Sequence, residues 1–333
     1  MSEQLTSIVT GGAGFIGSHL VDLLLEQGHI VRVIDNLSGG HEHNLEHQST
    51  NPNLSCSWQD IRSIDKKSSV FADVDLCFHL AGIGDIVPSI ENPGEYMDVN
   101  VQGTVRTLEA ARFANVRRFV YAASSSCYGL ANVPTAEDHK IQPQYPYALS
   151  KYLGELAAFH WHKVFNLPVN SICIFNAYGP RVRTTGAYGA VFGVFLKQKL
   201  EGRPLTVVGD GAQMRDFVYV TDVARAFLSA GQVDFTGERF NIGAGKPQSI
   251  NRLVKLMGGE VIYIPKRPGE PDCTHADVSK SQQILEWTPL VSFEKGVSNM
   301  VANIEDWSNA PLWDEVSISK ATASWFKYLN NNS

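Results

Sequence analysis

Cysteine is scarce in this sequence, and long apolar runs are missing from it. The five cysteines form an odd set without a C-x-x-C pair: Cys56, Cys77, Cys127, Cys173 and Cys273. This usage fits a reducing cytoplasm, with Cys77 and Cys173 as small core residues of apolar strands. No apolar stretch approaches the roughly 20 residues that span a bilayer, and the N-terminus lacks a signal-peptide pattern. We therefore expect a cytoplasmic protein that does not cross a membrane.

An excess of positive charge is also absent. Lysine and arginine number 28 against 34 aspartate and glutamate residues, which gives a net charge of -6. Such a chain offers no electrostatic footprint for nucleic acid or for an anionic membrane surface. Any phosphate must therefore be held by local groups. The 333 residues, 44% of them hydrophobic, suffice for one large domain or two closely joined ones.

The first half of the chain alternates short apolar runs with helical patterns. The runs read "SIVTGG", "HIVRVIDN", "VDLCFHLAG", "RRFVYAASS" and "VNSICIFNAYG". Strands that are apolar on both faces and alternate with helices predict an α/β fold, a doubly wound parallel sheet of the Rossmann type. After residue 175 the alternation fades. We expect a Rossmann domain over 1–175, to which 216–242 return, and a smaller α/β substrate-binding lobe over 176–215 and 243–333.

"VTGGAGFIGSHL" places Gly11, Gly14 and Gly17 between the first strand and the first helical pattern. Glycines there allow a tight turn, let backbone N–H groups approach a pyrophosphate, and let the helix pack closely on the strand. Asp35 ends the next strand, 18 residues past Gly17. A carboxylate at that point accepts both hydroxyls of an adenosine ribose and repels a 2′-phosphate, which favours NAD over NADP. The alternative for Asp35 is a turn residue that ends its strand.

Two further strand ends belong to the same pattern. Asp60 in "SWQDIRS" is expected to meet the adenine amino group, with a cap or turn role as its alternative. "HLAG" ends another strand in small residues over 80–82, where a dinucleotide that crosses the sheet edge needs room. His79 lies inside that apolar run and is interpreted as a hydrogen-bonded core residue rather than a ligand.

Tyr147 and Lys151 in "PYALSKYLGEL" are four residues apart, and Pro146 suits the first turn of a helix. This spacing puts both side chains on one helical face. A free tyrosine is a poor base at neutral pH, but a nearby lysine cation favours the phenolate. The pair is therefore predicted to remove a hydroxyl proton while hydride leaves for a nicotinamide. The serines of "AASSSCYG", residues 122–129, precede this helix and offer further hydroxyl groups.

Motifs occur along the chain in the order "TGGAGFIG", "HLAG", "SSS-x-YG", "YALSK", "FNAYGPR", "GDGAQMRDFVYVTD", "FNIGAG" and "RPGEPD…ADVSK". Together they resemble the extended short-chain dehydrogenase/reductases over nearly the whole length. Within these the sequence is most similar to the sugar-nucleotide 4-epimerases of the UDP-glucose and UDP-N-acetylglucosamine type. The resemblance implies NAD as the cofactor, a UDP-hexose as the substrate and no metal.

The resemblance also assigns roles to residues. It gives Ser124 a hydrogen bond to the sugar 4-hydroxyl, Tyr147 the role of base, and Lys151 the nicotinamide ribose. Positions that match NAD contacts are Gly11, Gly14, Phe15, Ile16, Gly17, Asp35, Asn36, Asp60, Ile61, Leu80, Ala81, Gly82, Asn100, Tyr147 and Lys151. Positions that match nucleotide-sugar contacts are Ser124, Ser125, Ser126, Asn176, Arg215, Arg267, Glu270 and Thr274.

Among the substrate positions, Arg215 and Arg267 suit a diphosphate because guanidinium groups form forked bonds to it, and Glu270 suits ribose hydroxyls. The alternative for Arg215 is an ion pair with a carboxylate such as Asp216. Thr274 stands where some relatives carry a bulky tyrosine that limits the pocket. A small residue there is compatible with an N-acetylated or otherwise enlarged hexose, unless other side chains decide the pocket size.

The two residues after Ser124 bear on the reaction class. Relatives that eliminate water from C6 usually carry Asp-Glu there, and decarboxylating relatives usually keep a Glu, whereas this chain has Ser125 and Ser126. Oxidation at C4, rotation of the 4-keto sugar and reduction on its other face then give net 4-epimerisation. The alternatives are a 4,6-dehydratase, a UDP-glucuronate decarboxylase or a 4-keto reductase and, outside catalysis, a dinucleotide-sensing or scaffold protein.

Five other segments carry weaker signals. "HEHNLEH" at 41–47 gathers histidines and glutamates, but its polar context favours a solvated loop over a metal site. "GAYGAVFGVF" at 186–195, rich in small and aromatic residues, is expected to reshape the sugar pocket. The helical patterns over 99–114 and 148–165 carry broad apolar faces, and the resemblance implies a homodimer through a four-helix bundle. The stretch 314–329 predicts one amphipathic helix that docks on the body or on a subunit, with a functional lid as the alternative.

Overall fold

The computed structural model describes residues 4–184 and 191–329. Its strands are β1 Thr6–Thr10, β2 Ile30–Asp35, β3 Leu54–Trp58, β4 Leu76–His79, β5 Arg118–Ser124, β6 Val169–Ile174, β7 Asn176–Tyr178, β8 Leu205–Val208, β9 Met214–Arg215, β10 Phe217–Tyr219, β11 Glu238–Ile242, β12 Gln248–Ser249 and β13 Val261–Ile264. Its α-helices are α1 Phe15–Glu26, α2 Ile86–Glu91, α3 Pro93–Met97, α4 Thr104–Phe113, α5 Pro146–Phe165, α6 Val191–Leu200, α7 Val220–Gln232, α8 Ile250–Met257, α9 Ser279–Ile284, α10 Phe293–Ala302, α11 Glu315–Ala321 and α12 Ala323–Leu329.

Seven of these strands form one parallel sheet in the order β11-β6-β5-β4-β1-β2-β3. The order reverses at β1, which pairs with β2 on one side and with β4 on the other. Loops that follow two such strands diverge at their carboxyl ends and leave a crevice between them. The doubly wound parallel sheet predicted from the sequence is confirmed, and its crevice lies beyond Thr10 and His79.

The large sheet is buried on both faces. Successive residues of β1 point to opposite sides, so that Ile8 joins one hydrophobic cluster and Val9 the other. The same alternation separates Cys77 from Phe78 in β4. Cys77 and Cys173 are both buried core residues, as predicted. Burial on both sides explains why these strands appear in the sequence as continuous apolar runs.

A third hydrophobic cluster lies in the second half of the chain, where aromatic side chains dominate: Phe192, Phe195, Phe217, Phe293 and Trp307. The paired strands β7 with β10, β8 with β13, and β9 with β12 lie in this half or lead into it. After β6 the chain passes into this region, and at β11 it returns to pair with β6 in the large sheet. The cavity described below lies beside this third cluster.

Two segments differ from their predicted structure. "HEHNLEH" forms a 3-10 helix, Glu42–Gln48, rather than a loop, because its centre is anchored. Asn44 is buried and its amide donates to the Ala13 carbonyl oxygen at 2.8 Å. The stretch 314–329 forms two short helices instead of one. Thr322 lies at the break, and its hydroxyl donates to the Ile318 carbonyl oxygen at 2.8 Å, a bond that bends helices.

Three findings apply to the described ranges alone. No group of three or more His, Cys, Asp and Glu side chains within them is placed to hold a metal ion. No helix in these ranges combines the length and the apolar composition of a bilayer span. Residues 186–190 of "GAYGAVFGVF" lie outside the described residues, whereas 191–195 form the first turn and a half of α6.

Gly154 lies where helix α5 crosses the π-helical turn Asp98–Gly103 that joins α3 to α4. A Cβ atom at Gly154 would lie 2.4 Å from the Tyr121 hydroxyl oxygen and 2.7 Å from the Asn100 carbonyl oxygen. Because one neighbour is backbone, relief requires α5 to shift. We predict that Gly154→Ala lowers the free energy of unfolding by about 1 to 3 kcal/mol, measured by urea denaturation.

Gly94→Ala is the control for this prediction. A Cβ atom at Gly94 would enter open space, so its effect should stay within about 0.5 kcal/mol. Equal losses of stability in the two variants would contradict the packing explanation.

Candidate functional site

The glycine-rich loop after β1 is held by contacts that exclude side chains. Gly11 has a φ of +72°, and a Cβ atom there would lie 2.7 Å from the backbone nitrogen of Ala81. A Cβ atom at Gly17 would lie 2.0 Å from the Gly11 carbonyl oxygen. The loop therefore lies directly against the residues that follow β4. The other predicted loop positions lie at the start of helix α1, whose first-turn N–H groups have no intrahelical acceptor: Gly14, Phe15 and Ile16.

Asp35 ends β2 beside this loop and is only 6% exposed. Its carboxylate accepts from the backbone N–H of Ala13 at 3.0 Å and from that of Leu37 at 2.8 Å. Burial raises the pKa of the Asp35 carboxyl, and these two backbone hydrogen bonds oppose the rise. Asp35 thus has the turn role that was its alternative. Each oxygen retains a further lone pair, so a role with ribose hydroxyls stays a prediction that the geometry permits.

Asp60 follows β3 and caps the 3-10 turn Ile61–Ser63. Its carboxylate accepts from Arg62 Nε at 2.9 Å, from Arg62 Nη2 at 2.7 Å and from Asn36 Nδ2 at 2.9 Å. The Arg62 hydrogen bonds hold the pKa of Asp60 at about 2. The capping role, the alternative named from the sequence, is therefore present. Asn36, another predicted cofactor contact, is tied to Asp60, and Ile61 is buried beneath them.

The "HLAG" segment is fastened to β1. The Ala81 N–H donates to the Thr10 hydroxyl oxygen at 3.2 Å, and Leu80 N–H donates to the Thr10 carbonyl oxygen at 3.0 Å. His79 lies 2.7 Å from the same hydroxyl through Nδ1 and 2.9 Å from the Thr104 hydroxyl through Nε2. Burial lowers the pKa of His79 to about 3. His79 is therefore the hydrogen-bonded core residue that the sequence predicts.

Asn100 is predicted to contact NAD, and this stays a prediction, because the amide oxygen keeps one lone pair while the rest of the side chain is hydrogen-bonded within the chain. Its Oδ1 accepts from the Ile83 N–H at 2.9 Å, and its Nδ2 donates to the Ile83 carbonyl oxygen and to Ser150 Oγ, both at 2.9 Å. An amide has two N–H donors, and both are occupied. A Cβ atom at Gly82 would lie 2.8 Å from the Asn100 Oδ1. Asn100 therefore fastens the loop after β4 to helix α5, which is a positioning role.

Helix α5 carries Tyr147 and Lys151, with Pro146 as its first residue. The Tyr147 hydroxyl has a hydrogen bond with Ser124, the last residue of β5. Lys151 is 7% exposed, and its Nζ lies 4.6 Å from the centroid of the Tyr121 ring. The fold thus brings Ser124 and Tyr147 together from separate elements, with Lys151 one helical turn further along.

Burial dominates the titration of both helix residues. It raises the pKa of Tyr147 well above its usual range, and the hydrogen bond with Ser124 opposes this rise. Burial lowers the pKa of Lys151 to about 8. The sequence predicts that Lys151 favours the Tyr147 phenolate, and this stays a prediction. Among the groups around Tyr147, Ser124 opposes the rise of the Tyr147 pKa most strongly.

A cavity of about 480 Å³ opens beside Tyr147, a size that suits a small ligand. Predicted site residues in its lining are Ser126, Tyr147, Asn176, Arg215, Arg267 and Glu270. Other predicted residues adjoin these without lining the cavity: Ser124, Ser125, Lys151 and Thr274. The structure therefore brings the predicted tyrosine and the predicted charged cluster to one common cavity.

Arg215 is 8% exposed and forms its ion pair with Glu270, whose Oε1 accepts from Nη2 at 2.8 Å. Arg267 Nη1 lies 3.8 Å from the other oxygen of Glu270. The alternative role, an ion pair with a carboxylate, is thus present, but its partner is Glu270 and not Asp216, whose Oδ2 accepts from backbone N–H groups. Two guanidinium groups lie against one carboxylate in this wall of the cavity, and guanidinium groups suit a diphosphate.

Thr274 lies behind Asn176 rather than at the cavity surface. Its hydroxyl donates to Asn176 Oδ1 at 2.7 Å and accepts from the Asp216 N–H at 3.2 Å. Thr274 therefore orients the Asn176 amide. That its small size leaves room for an enlarged hexose stays a prediction.

Several lining residues escaped the sequence reasoning. Asp85 and Arg183 line the cavity near Tyr147, 3.7 Å apart. Trp325 lines it from the C-terminal segment. None of the three belongs to a motif with chemical spacing, and the C-terminal segment lies outside the shared motifs. The apolar pattern of 314–329 predicts an amphipathic helix that includes Trp325, but it does not predict that this side chain lines the cavity.

The buried ammonium group of Lys151 should cost stability. Its pKa is lowered from 10.5 to about 8 in the folded chain, so at pH 7 the folded state carries a desolvated charge. Between pH 8 and 10.5 the folded state releases this proton before the unfolded state does, and the cost disappears. We predict that Lys151→Met raises the free energy of unfolding of the cofactor-free protein by about 1 to 3 kcal/mol at pH 7, with a smaller gain at pH 9.5.

Urea denaturation at the two pH values measures this gain. Lys67→Met, which replaces an exposed lysine, is the control and should change stability little at either pH. A Lys151→Met protein no more stable than the wild type at pH 7 would show that the charge is not buried as the structure indicates.

A family model described as the NAD dependent epimerase/dehydratase family matches residues 7–243. A putative UDP-glucose 4-epimerase of Methanocaldococcus jannaschii is 37% identical over 88% of this chain and 96% of its own. The solved UDP-N-acetylglucosamine 4-epimerase of Methanobrevibacter ruminantium, 31% identical, has a TM-score of 0.86 over 92% of this chain and 99% of its own. The UDP-glucuronic acid 4-epimerase of Bacillus cereus, solved with UDP-glucuronic acid and NAD, is 31% identical with a TM-score of 0.85 over 90% and 99%. The resemblance found in the motifs is confirmed, and this chain belongs to the NAD-dependent epimerase/dehydratase family.

Proposed function

We propose that this protein is an NAD-dependent 4-epimerase that acts on a UDP-hexose. The observation that carries the proposal is one cavity with Tyr147, hydrogen-bonded to Ser124, on one side and the cluster of Arg215, Arg267 and Glu270 on the other. A nucleotide sugar presents a reactive hydroxyl at one end of its hexose and a diphosphate at the other. The names of the related proteins, which are 4-epimerases of UDP-sugars, support the same class.

The residues of the crevice fit NAD. Gly11 and Gly17 lie where no Cβ atom can be accommodated, which keeps the backbone open to a pyrophosphate, and Asp35 would accept from ribose hydroxyls. Lys151 and Tyr147 would hold the nicotinamide end. NAD, when bound, supplies the ring that accepts hydride from the sugar C4 and later returns it.

The chain's own groups handle the proton. In its phenolate form, which the nearby Lys151 cation favours, Tyr147 Oη accepts the proton of the sugar 4-hydroxyl, and Ser124 shares that hydrogen bond and fixes its direction. Arg215 and Arg267 hold the diphosphate while the 4-keto sugar turns, so the intermediate stays in the cavity. Tyr147 then returns the proton to the oxygen on C4. Hydroxyl side chains follow Ser124 in place of a carboxylate pair, so no group there removes a C5 proton or protonates a C6 leaving group.

Two further assignments belong to this proposal. Residues 1–175 with 216–242 form the NAD-binding domain, and residues 176–215 with 243–333 form the nucleotide-sugar-binding lobe. The cytoplasm is the compartment we propose, and the five cysteines, all of them free thiols, support it.

The proposed reaction is tested by proton NMR with NAD and a panel of UDP-glucose, UDP-N-acetylglucosamine and UDP-glucuronate. We predict that the axial and equatorial H4 isomers of at least one of them interconvert. Tyr147→Phe should lower kcat by at least about 100-fold with NAD still bound, because the proton acceptor is lost. Tyr263→Phe is the control, since Tyr263 is 61% exposed.

Two outcomes would contradict the proposal: no conversion of any sugar in the panel, or a Tyr147→Phe variant as active as the wild type. A 4-keto-6-deoxy product that absorbs in alkali would indicate a dehydratase instead.

We also propose a homodimer that buries helices α4 and α5. These helices leave large apolar side chains at the surface, each 40 to 51% exposed: Phe113, Leu149, Leu156, Val164 and Phe165. Leu149 and Leu156 are seven residues apart and form part of one stripe. Two copies of this two-helix face make a four-helix bundle that covers the stripe.

Leu156→Glu places a charge at the centre of the stripe and should convert the dimer to a monomer, measured by light scattering after size-exclusion chromatography. Leu290→Glu, at a site 70% exposed outside these helices, should leave the dimer intact. A wild-type protein that is monomeric at micromolar concentration would end this proposal.

A further inference from the structure

The C-terminal segment 308–329 follows a defined path along the cavity. Two side chains of α6 hold its start: Lys197 Nζ donates to the Ser308 carbonyl oxygen and Gln198 Nε2 to the Trp313 carbonyl oxygen, both at 2.7 Å. Lys197 and Gln198 are both buried. Asp314 is the N-cap residue of α11 and forms a capping box with Ser317. These buried anchors fix where the segment runs, and it supplies five lining residues: Ala310, Pro311, Trp313, Thr322 and Trp325.

Helix α12 connects the two walls of the cavity. Ser324 Oγ donates at 2.8 Å to Glu91 Oε1, in helix α2 on the side of the proposed base. Trp325 Nε1 donates at 2.7 Å to the carbonyl oxygen of Pro268, which adjoins the arginine cluster on the other side. The segment is thus bonded to both walls, whereas an amphipathic helix that only covers the body would be bonded to one.

The Trp325 indole lies among groups of the site and is only 6% exposed. Its ring centroid is 6.1 Å from that of Tyr145, and the Arg267 guanidinium carbon lies 5.8 Å from it. Tyr145 in turn is stacked against Tyr147, with centroids 6.4 Å apart. The indole therefore stands between the proposed base and the proposed diphosphate cluster, where the hexose must lie.

The rest of the segment does not share this burial. Val316, which the amphipathic pattern places on the apolar face, is 77% exposed, and Tyr328 is 56% exposed. Ile318 is the other deeply buried apolar side chain of α11 and α12 in the described range. The two helices therefore direct one aromatic ring into the cavity, and few of their other residues pack on the body.

We propose that residues 308–329 form a substrate-binding wall additional to the shared family motifs, with Trp325 as its contact residue for the nucleotide sugar. This inference rests on the proposed function, because the cavity is the one assigned to the UDP-hexose. An indole face provides a large apolar surface for the C–H groups of a hexose. Since Pro268 and Tyr145 already fix the ring, substrate binding orders it at little cost in side-chain entropy.

The additional length agrees with this assignment. The Methanocaldococcus and Methanobrevibacter proteins match 88% and 92% of this chain but 96% and 99% of their own, so this chain carries residues beyond them. The shared motifs end before Trp307. The wall built from residues 308–329 therefore lies outside the shared motifs.

The test compares Trp325→Ala with Trp325→Phe and with Tyr328→Ala, the matched control from the same helix. KM and kcat are measured with the UDP-hexose that the wild type epimerises, and binding of UDP-glucose is measured by titration calorimetry. For Trp325→Ala we expect KM and the dissociation constant to rise about tenfold with kcat within about threefold, because contact with the ground state and the transition state is lost alike. Trp325→Phe should recover most of the affinity, and Tyr328→Ala should match the wild type.

A purely structural role would give another pattern, a lower melting temperature and a smaller active fraction at unchanged KM. A folded Trp325→Ala that binds as tightly as the wild type overturns the inference, and so does an equal loss of affinity in Tyr328→Ala. If Trp325→Ala does not fold, Trp325→Leu carries the same comparison. Failure of the proposed function is separate, because it leaves the wild type without conversion of any UDP-hexose.

Discussion

The placement of the whole site depends on a series of backbone contacts too close for any side chain. Gly11 lies against the residues after β4, and Gly17 lies against Gly11. Gly82 then meets the Asn100 side chain, and Gly154 of helix α5 meets the Asn100 carbonyl oxygen. These contacts connect the nucleotide loop, the end of β4, the π-helical turn and helix α5. Helix α5 carries the tyrosine and the lysine. The distance between the cofactor crevice and the proposed base therefore depends on close contacts that only glycines, which have no Cβ atom, allow.

Burial of ionisable groups at the site costs free energy, which packing elsewhere in the fold must offset. Lys151 is a buried cation with a lowered pKa, and Tyr147 is a phenol whose pKa burial raises. The pKa of each group is displaced from that of the free side chain, as is common for groups at functional sites. Arg215 and Arg267 both lie against the Glu270 carboxylate in the wall of the cavity. At these positions the free energy of unfolding is lower than it could be, and the proposed binding and proton transfer give the reason.

The cavity combines three contributions of different origin. Helix α5, which packs on the large sheet, supplies Tyr147, and Ser124 at the end of β5 adjoins it. The second half of the chain supplies Asn176 and the arginine cluster, and the segment after Trp307 supplies Trp325. The first two follow motifs of the NAD-dependent epimerase/dehydratase family. The segment after Trp307 lies outside these motifs. Through Trp325 this chain can hold its substrate by a contact that the motifs do not supply.

The sequence by itself determined the doubly wound sheet, the glycine loop with Asp35, and the pairing of Tyr147 with Lys151 on one helical face, because these follow from local periodicity and from spacing within single elements. Through the shared motifs it also predicted that Arg215, Arg267 and Glu270 contact the nucleotide sugar. Tertiary structure alone decided that Glu270 pairs with Arg215, that Asn100 positions a loop, and that Trp325 enters the cavity. Each of these depends on side chains from elements far apart in the chain, and residue spacing carries no information about such contacts.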